Sequence, residues 1–221
     1  SFWSSVISNG ILIFICISIT YTASSNENCL ESVEFPICLY PEKNIEFIVY
    51  RNGKEVGWHK VTFEQSGDLV TAETKAYVKA PYLLIFDYIM EYYSISTWKH
   101  GKLLKLNASL NDDGDEYTIS IEKNSDGKIV VQGKENNYII EDDTILPTEH
   151  WHPKEINSST LISTLDGAIV NVSSTQIDEK TWFIDGDIKY YINFDNNMRW
   201  TGLQFRADED ELIEYICDNC N

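Results

Sequence analysis

Residues 45–63 read IEFIVYRNGKEVGWHKVTF. Apolar and polar side chains alternate from Ile45 to Tyr50 and again from Val56 to Phe63, so each run presents one apolar face, as a half-buried strand does. Between the runs stand Arg51-Asn52-Gly53-Lys54. Asn-Gly accepts the positive φ angles of a tight hairpin turn at low cost, and so joins the two runs as antiparallel neighbours.

The same period-two pattern extends outward over most of the chain. Leu69 to Val78 follows the Ser66-Gly67-Asp68 turn, and the aromatic-rich run Tyr82 to Trp98 is long enough to predict an internal bend or bulge. Leu103 to Leu110 and Tyr117 to Lys123 flank the acidic turn Asn111-Asp112-Asp113-Gly114-Asp115, which reads as a hairpin turn and not as a calcium loop. Lys128 to Gln132 and Tyr138 to Glu141 continue the meander. Val170 to Ile177, Trp182 to Asp185, Ile188 to Phe194, Trp200 to Arg206 and Leu212 to Cys217 complete it. Ser158 to Leu165 is the one stretch that could hold a short helix. The expected fold is all-β: a single antiparallel β-barrel or spiral β-roll, lipocalin-like in outline, with at most one short helix.

Near the N-terminus, residues 11–20 read ILIFICISIT and lead into YTASSNENC. A short apolar run followed by small residues predicts an export signal over residues 1–24, N-terminally truncated and cleaved near Ala23 or Ser24. The run is shorter than a spanning helix requires, so no stable membrane insertion is expected after cleavage. A tethered segment (25–44), a barrel or roll domain (45–217) and a tail (218–221) follow. The expected compartment is periplasmic or extracellular. The chain carries a formal charge of −18 over 221 residues, an excess that repels nucleic acid. Cys29, Cys38, Cys217 and Cys220 all lie at the domain's two ends and read as two disulfides, with three pairings open.

Several segments resemble a bacterial family of exported all-β proteins catalogued as a domain of unknown function. They are the hairpin Tyr50 to His59, Trp98-Lys99-His100-Gly101-Lys102-Leu103, and Trp151 with the Leu165-Asp166-Gly167 turn. Ile192 to Asp195, with Arg199-Trp200 and Leu203 to Phe205, is similar to the family's closing hairpin; Trp58 stands where the family more often has a small or β-branched residue. The resemblance implies an exported barrel- or roll-like fold, similar in shape to lipid and hydrophobe carriers, and it implies no activity.

Six Trp, thirteen Tyr and nine Phe supply much of the apolar surface. Small barrels either fill their interior or hold one ligand. The leading expectation is an apolar small molecule or lipid held against Trp58, Tyr88, Tyr92, Trp98, Trp151, Tyr190 and Trp200. An enzyme working on a hydrophobic substrate is the alternative. His59 shares a strand face with Val61 and Phe63 and points inward, and His150-Trp151-His152 on extended backbone would place two imidazoles on one side. His59, His150 and His152 are therefore the candidate catalytic or metal-ligating set, with Glu149 as a carboxylate partner. A filled structural barrel is the third reading. No phosphate-binding Gly loop, Gly-x-Ser-x-Gly or His-Glu-x-x-His is present, and no cofactor is expected.

Overall fold

The computed structural model describes residues 29–82, 86–135, 137–207 and 211–220. The export signal expected over residues 1–24 lies outside the described residues. The first half of the chain folds as β1 (Asn44–Arg51), β2 (Lys54–Ser66), β3 (Leu69–Tyr82), β4 (Phe86–Lys99), β5 (Lys102–Asp112), β6 (Asp115–Lys123), β7 (Ile129–Gln132) and β8 (Asn137–Ile140). Two short strands, β9 (Leu146–Pro147) and β10 (Thr160–Ile162), flank a 3-10 turn at Pro153–Asn157. The remainder forms β11 (Ile169–Gln176), β12 (Thr181–Gly186), β13 (Tyr190–Phe194), β14 (Trp200–Arg206) and β15 (Leu212–Cys217).

All fifteen strands join one sheet, ordered β8-β7-β6-β5-β4-β3-β2-β1-β15-β14-β13-β12-β11-β10-β9. The fold is all-β as expected, and the sheet is an open roll: β8 and β9 are its two edges and do not pair. One pairing departs from the antiparallel rule, since β9 runs parallel to β10. The Asn52-Gly53 turn has φ of 50° and 76°, as its sequence predicts. The long aromatic run is divided: β3 ends at Tyr82 and β4 starts at Phe86, paired with each other across a hairpin. The expected irregularity within that run is present, as a register shift between Thr97 and Trp98. The short helix expected at Ser158 to Leu165 is absent. Thr160–Ile162 is strand β10 instead, where β-branched residues pack without losing rotamer freedom.

Although β8 and β9 stay unpaired, the ends of the roll meet. Lys134 N donates to Asp166 O at 2.8 Å, and the Tyr138 hydroxyl donates to Gly167 O. This approach needs a residue without a side chain. Gly167 has φ +79°, and a Cβ there would stand 2.6 Å from Gly133 Cα. Gly167→Ala is expected to destabilise the protein by about 1–3 kcal/mol. The accompanying sign is faster amide exchange at Lys134, and an unchanged exchange rate there would show that the seam does not depend on this contact.

Inward faces carry the core, with Ile45 and Phe47 on β1, Val61 and Phe63 on β2, Leu106 on β5 and Ile119 and Ile121 on β6 all nearly or fully buried. Beyond Val70, the buried side chains of β3 are unusually small: Ala72, Thr74, Ala76 and Ala80. These short side chains leave room inside the roll for residues 148–157, a strap that crosses the interior. Cys29 pairs with Cys38, and Cys217 with Cys220, which settles the pairing within each end of the chain. The first disulfide closes the segment that delivers Phe35, Leu39 and Tyr40 to the core.

Candidate functional site

The strap is anchored through both its backbone and its side chains. Trp151 is fully buried among Phe63 (5.3 Å between ring centres), Trp98 (5.0 Å) and Phe35 (6.0 Å). Its carbonyl accepts from the Tyr40 hydroxyl at 2.8 Å, and that hydroxyl accepts from Trp200 N at 3.0 Å. His152 packs on Phe35 and Trp98 and caps the 3-10 turn, its Nδ1 accepting from Lys154 N at 3.2 Å while Nε2 faces Gly101 O at 3.4 Å. Burial lowers the His152 pKa to about 4, so the ring stays neutral.

His150 faces elsewhere. It has φ +64°, a left-handed conformation that swings it off the extended path assumed for His-Trp-His. The fully buried Glu155 carboxylate holds it: Oε2 accepts from His150 N at 3.0 Å, and Oε1 lies 2.9 Å from Nδ1. A carboxylate only accepts, so Nδ1 carries the hydrogen. The Tyr190 hydroxyl also donates to Glu155 Oε1, and burial with this neighbouring charge pushes the Tyr190 pKa far up. The three imidazoles therefore do not converge, and no group of three His, Cys, Asp or Glu side chains among the described residues could hold a metal ion.

Glu149 points toward β4. Ser96 Oγ donates to its two oxygens at 2.9 and 3.2 Å, and Ser94 Oγ lies at 3.5 Å. Trp98 Nε1 in turn donates to Ser96 Oγ at 2.8 Å. The Trp151 indole N–H lies near enough to favour the charged carboxyl, yet outside hydrogen-bond geometry. Burial outweighs these donors and pushes the Glu149 pKa up to about 8, so the group is largely a neutral carboxylic acid at pH 7.

Between the strap and the inner faces of β2, β3, β4, β14 and β15 lies a cavity of about 150 Å³. Its polar wall is His59, Thr74, Thr148, Glu149, His150 and Thr164; residues such as Met90, Leu203 and Phe205 are apolar, and Tyr92 and Tyr215 have both characters. His59 is buried between Phe47, Trp200 and Tyr215, and burial lowers its pKa to about 3. Its Nδ1 and the Thr74 hydroxyl are buried without a hydrogen-bond partner among the described residues. Such orphans each cost about 1–3 kcal/mol. His59 and Glu149 are thus mostly neutral at physiological pH, and the cavity wall offers unused donors and acceptors.

Of the sequence candidates, His59, Tyr92, Glu149 and His150 are brought together around this cavity. Trp98, Trp151 and Trp200 are fully buried in the core, and His152 is the cap of the 3-10 turn. Tyr190 does not line the cavity itself; it bonds Glu155 and packs edge-on against the His150 ring, 5.2 Å between ring centres. Trp58 is 45% exposed on the outer face, and Tyr88 bonds Asp112 at 2.7 Å away from the cavity. Sequence reasoning missed Thr74, Ser94, Ser96 and Glu155. The three hydroxyls were visible as polar residues on otherwise apolar strand faces, between Ala72 and Ala76 and between Tyr92 and Trp98. Nothing local marks Glu155, whose partners come from the strap and β13.

A family model described as a domain of unknown function, DUF6134, matches residues 47–218. The chain belongs to that family, in agreement with the resemblance read from its hairpins. No curated protein matches it. Among solved structures, the crystal structure of a beta-barrel-like protein of domain of unknown function DUF1849 from Brucella abortus is similar, with a TM-score of 0.51 at 11% identity. The match covers 79% of this chain and 94% of that one, and it shows a shared barrel-like fold.

Proposed function

We propose that this member of the DUF6134 family is an exported binding protein whose interior cavity takes a small neutral molecule with an apolar body and one polar head. The observation that carries the reading is the pair of buried, unpartnered atoms, His59 Nδ1 and Thr74 Oγ1, in the wall of a cavity that also contains a neutral carboxyl. A hydroxyl or carbonyl group satisfies them, whereas a bare charge would lose its hydration for no ionic partner. The volume, about 150 Å³, is on the scale that accepts a benzene-sized molecule and is smaller than the roughly 300 Å³ at which drug-sized pockets begin. That size favours the small-molecule end of the expected ligands over a whole lipid chain. Two disulfides support an oxidising compartment.

The test is calorimetric titration with cyclopentanone and cyclohexanol against cyclohexylamine and cyclohexanecarboxylate. The neutral pair is expected to bind and the charged pair is not. Thr74→Val keeps the shape and removes an orphan hydroxyl, so its two effects have opposite sign. The unliganded protein gains about 1–3 kcal/mol of stability while the affinity for the neutral pair falls by about tenfold. Equal affinity in Thr74→Val, or charged probes binding as well as neutral ones, would show that the cavity is not the binding site.

A further inference from the structure

One imidazole in this cavity is held by more devices than packing requires. His150 adopts a left-handed backbone, and a fully buried carboxylate grips both its N–H and its Nδ1. Tyr190, from across the roll on β13, bonds the same carboxylate. With Nδ1 engaged, Nε2 is the nitrogen left for a molecule in the cavity, and the ring is one of the cavity's lining groups. Strained backbone at a non-glycine residue persists where the surroundings over-determine it, and here three hydrogen bonds to one carboxylate do so. A carboxylate that fixes the tautomer and aim of a histidine is how a general base is built. The Glu149 carboxyl lines the same cavity. Base and acid lining one cavity is the arrangement that moves a proton on carbon.

We infer that His150, positioned by Glu155 and Tyr190, is a general base that enolises a small neutral carbonyl compound bound in this cavity, with Glu149 as the acid on its carbonyl oxygen. This rests on the binding reading above. In the forward step the bond between hydrogen and the carbon next to the carbonyl breaks, and its proton goes to His150 Nε2. The electron pair left behind forms the carbon–carbon double bond of the enol. The carbonyl oxygen takes the Glu149 proton, leaving the carboxylate. In the reverse step the enol oxygen returns its proton to Glu149, and the imidazolium gives a proton back to carbon. The sequence needs no oxidant, reductant or second substrate, and in heavy water it replaces hydrogen by deuterium at the carbon beside the carbonyl. Glu149 is mostly protonated at pH 7, which suits it to the acid role.

The experiment follows the loss of the α-proton signals of cyclopentanone in heavy water by NMR, with the full chain against an equal concentration of free imidazole, and measures cyclopentanone binding by calorimetry in parallel. The wild type is expected to exchange about 100-fold faster than imidazole or more. His150→Gln is expected to return to the imidazole rate. Glu155→Gln lets an amide N–H face Nδ1 and shifts the ring proton to Nε2, so the rate at saturating ketone falls about 10-fold or more while the dissociation constant holds. Glu155→Asp restores part of that rate, which a merely structural role would not produce. Bound ketone without exchange above imidazole overturns the base assignment and leaves the binding reading standing, and the wild-type measurement alone decides this. Exchange that survives His150→Gln also overturns it. No exchange together with no bound ketone overturns both readings.

Discussion

Truncating Trp151 to alanine is expected to lower the unfolding free energy by about 3–5 kcal/mol, the largest single-residue effect anticipated here. The indole is fully buried, touches Phe35, Phe63 and Trp98, and lies in a strap that has no regular strand of its own. Its removal leaves a void that the surrounding rings cannot close, because Phe63 and Trp98 are held by β2 and β4 and Phe35 by the segment that the Cys29–Cys38 disulfide closes. The loss is comparable with the whole stability of many domains of this size, roughly 5–15 kcal/mol. Urea unfolding followed by near-ultraviolet circular dichroism measures it. A loss below about 1 kcal/mol would mean that the strap merely lies on the core instead of forming part of it. Because Glu149 and His150 precede Trp151 directly, the same variant is expected to abolish binding of neutral probes.

Stability is expected to peak near pH 6.5 and to fall on both sides, with each limb assigned to named residues. His59 and His152 have native pKa values of about 3 and 4, below the ordinary 6.5. Between those values and pH 6.5 the unfolded chain binds protons that the native protein refuses, so stability is lost as pH falls. Glu149 has the opposite sign. Its native pKa of about 8 exceeds the ordinary 4.5, so the native protein keeps a proton that the unfolded chain releases, and stability is lost as pH rises through that window. Below pH 6.5 the two histidines outweigh the one carboxyl, and between 6.5 and 8 the carboxyl acts alone. Each net proton is worth about 1.4 kcal/mol per pH unit. The acid limb should therefore cost about 4 kcal/mol between pH 6.5 and 4, and the alkaline limb about 2 kcal/mol up to pH 8. Glu149→Gln is expected to flatten the alkaline limb and leave the peak's acid side steep. An alkaline limb unchanged by that substitution would place the responsible proton on another group.

How far the site could be read from sequence follows from the range of each interaction. His59 was placed inward because Val61 and Phe63 fix the phase of its strand, and period two is a local property. The His150-Trp151-His152 reading failed for the complementary reason. Alternation assumes extended backbone, and the positive φ at His150 is imposed by Glu155, five residues later, through bonds that no local pattern encodes. The length of the run from Tyr82 to Trp98 predicts an irregularity within it, but residues 83–85 (Leu-Leu-Ile) lack the Gly, Asn or Asp that marks a turn, so the division between β3 and β4 has no local signal. The aromatic residues were expected to pave a cavity. Most became core, because the strap fills the space that an empty barrel would have left.

The sequence by itself determined that this chain is a meander of strands, which faces of those strands are apolar, and where the tight Asn-Gly turn falls. Each of these depends on neighbours one to four residues apart. Only the tertiary structure decided that the roll stays open between β8 and β9, and that Gly167 against Gly133 closes the seam without a ladder. It also decided that residues 148–157 cross the interior and leave Glu149, His150, His59 and Thr74 around one cavity. Those outcomes depend on how β3, β4, β13 and the strap meet over long stretches of chain, 35 residues between Glu155 and Tyr190 and 53 between Ser96 and Glu149. Burial sets them, and it raises or lowers a pKa or leaves a hydroxyl unpartnered only once all the walls are in place.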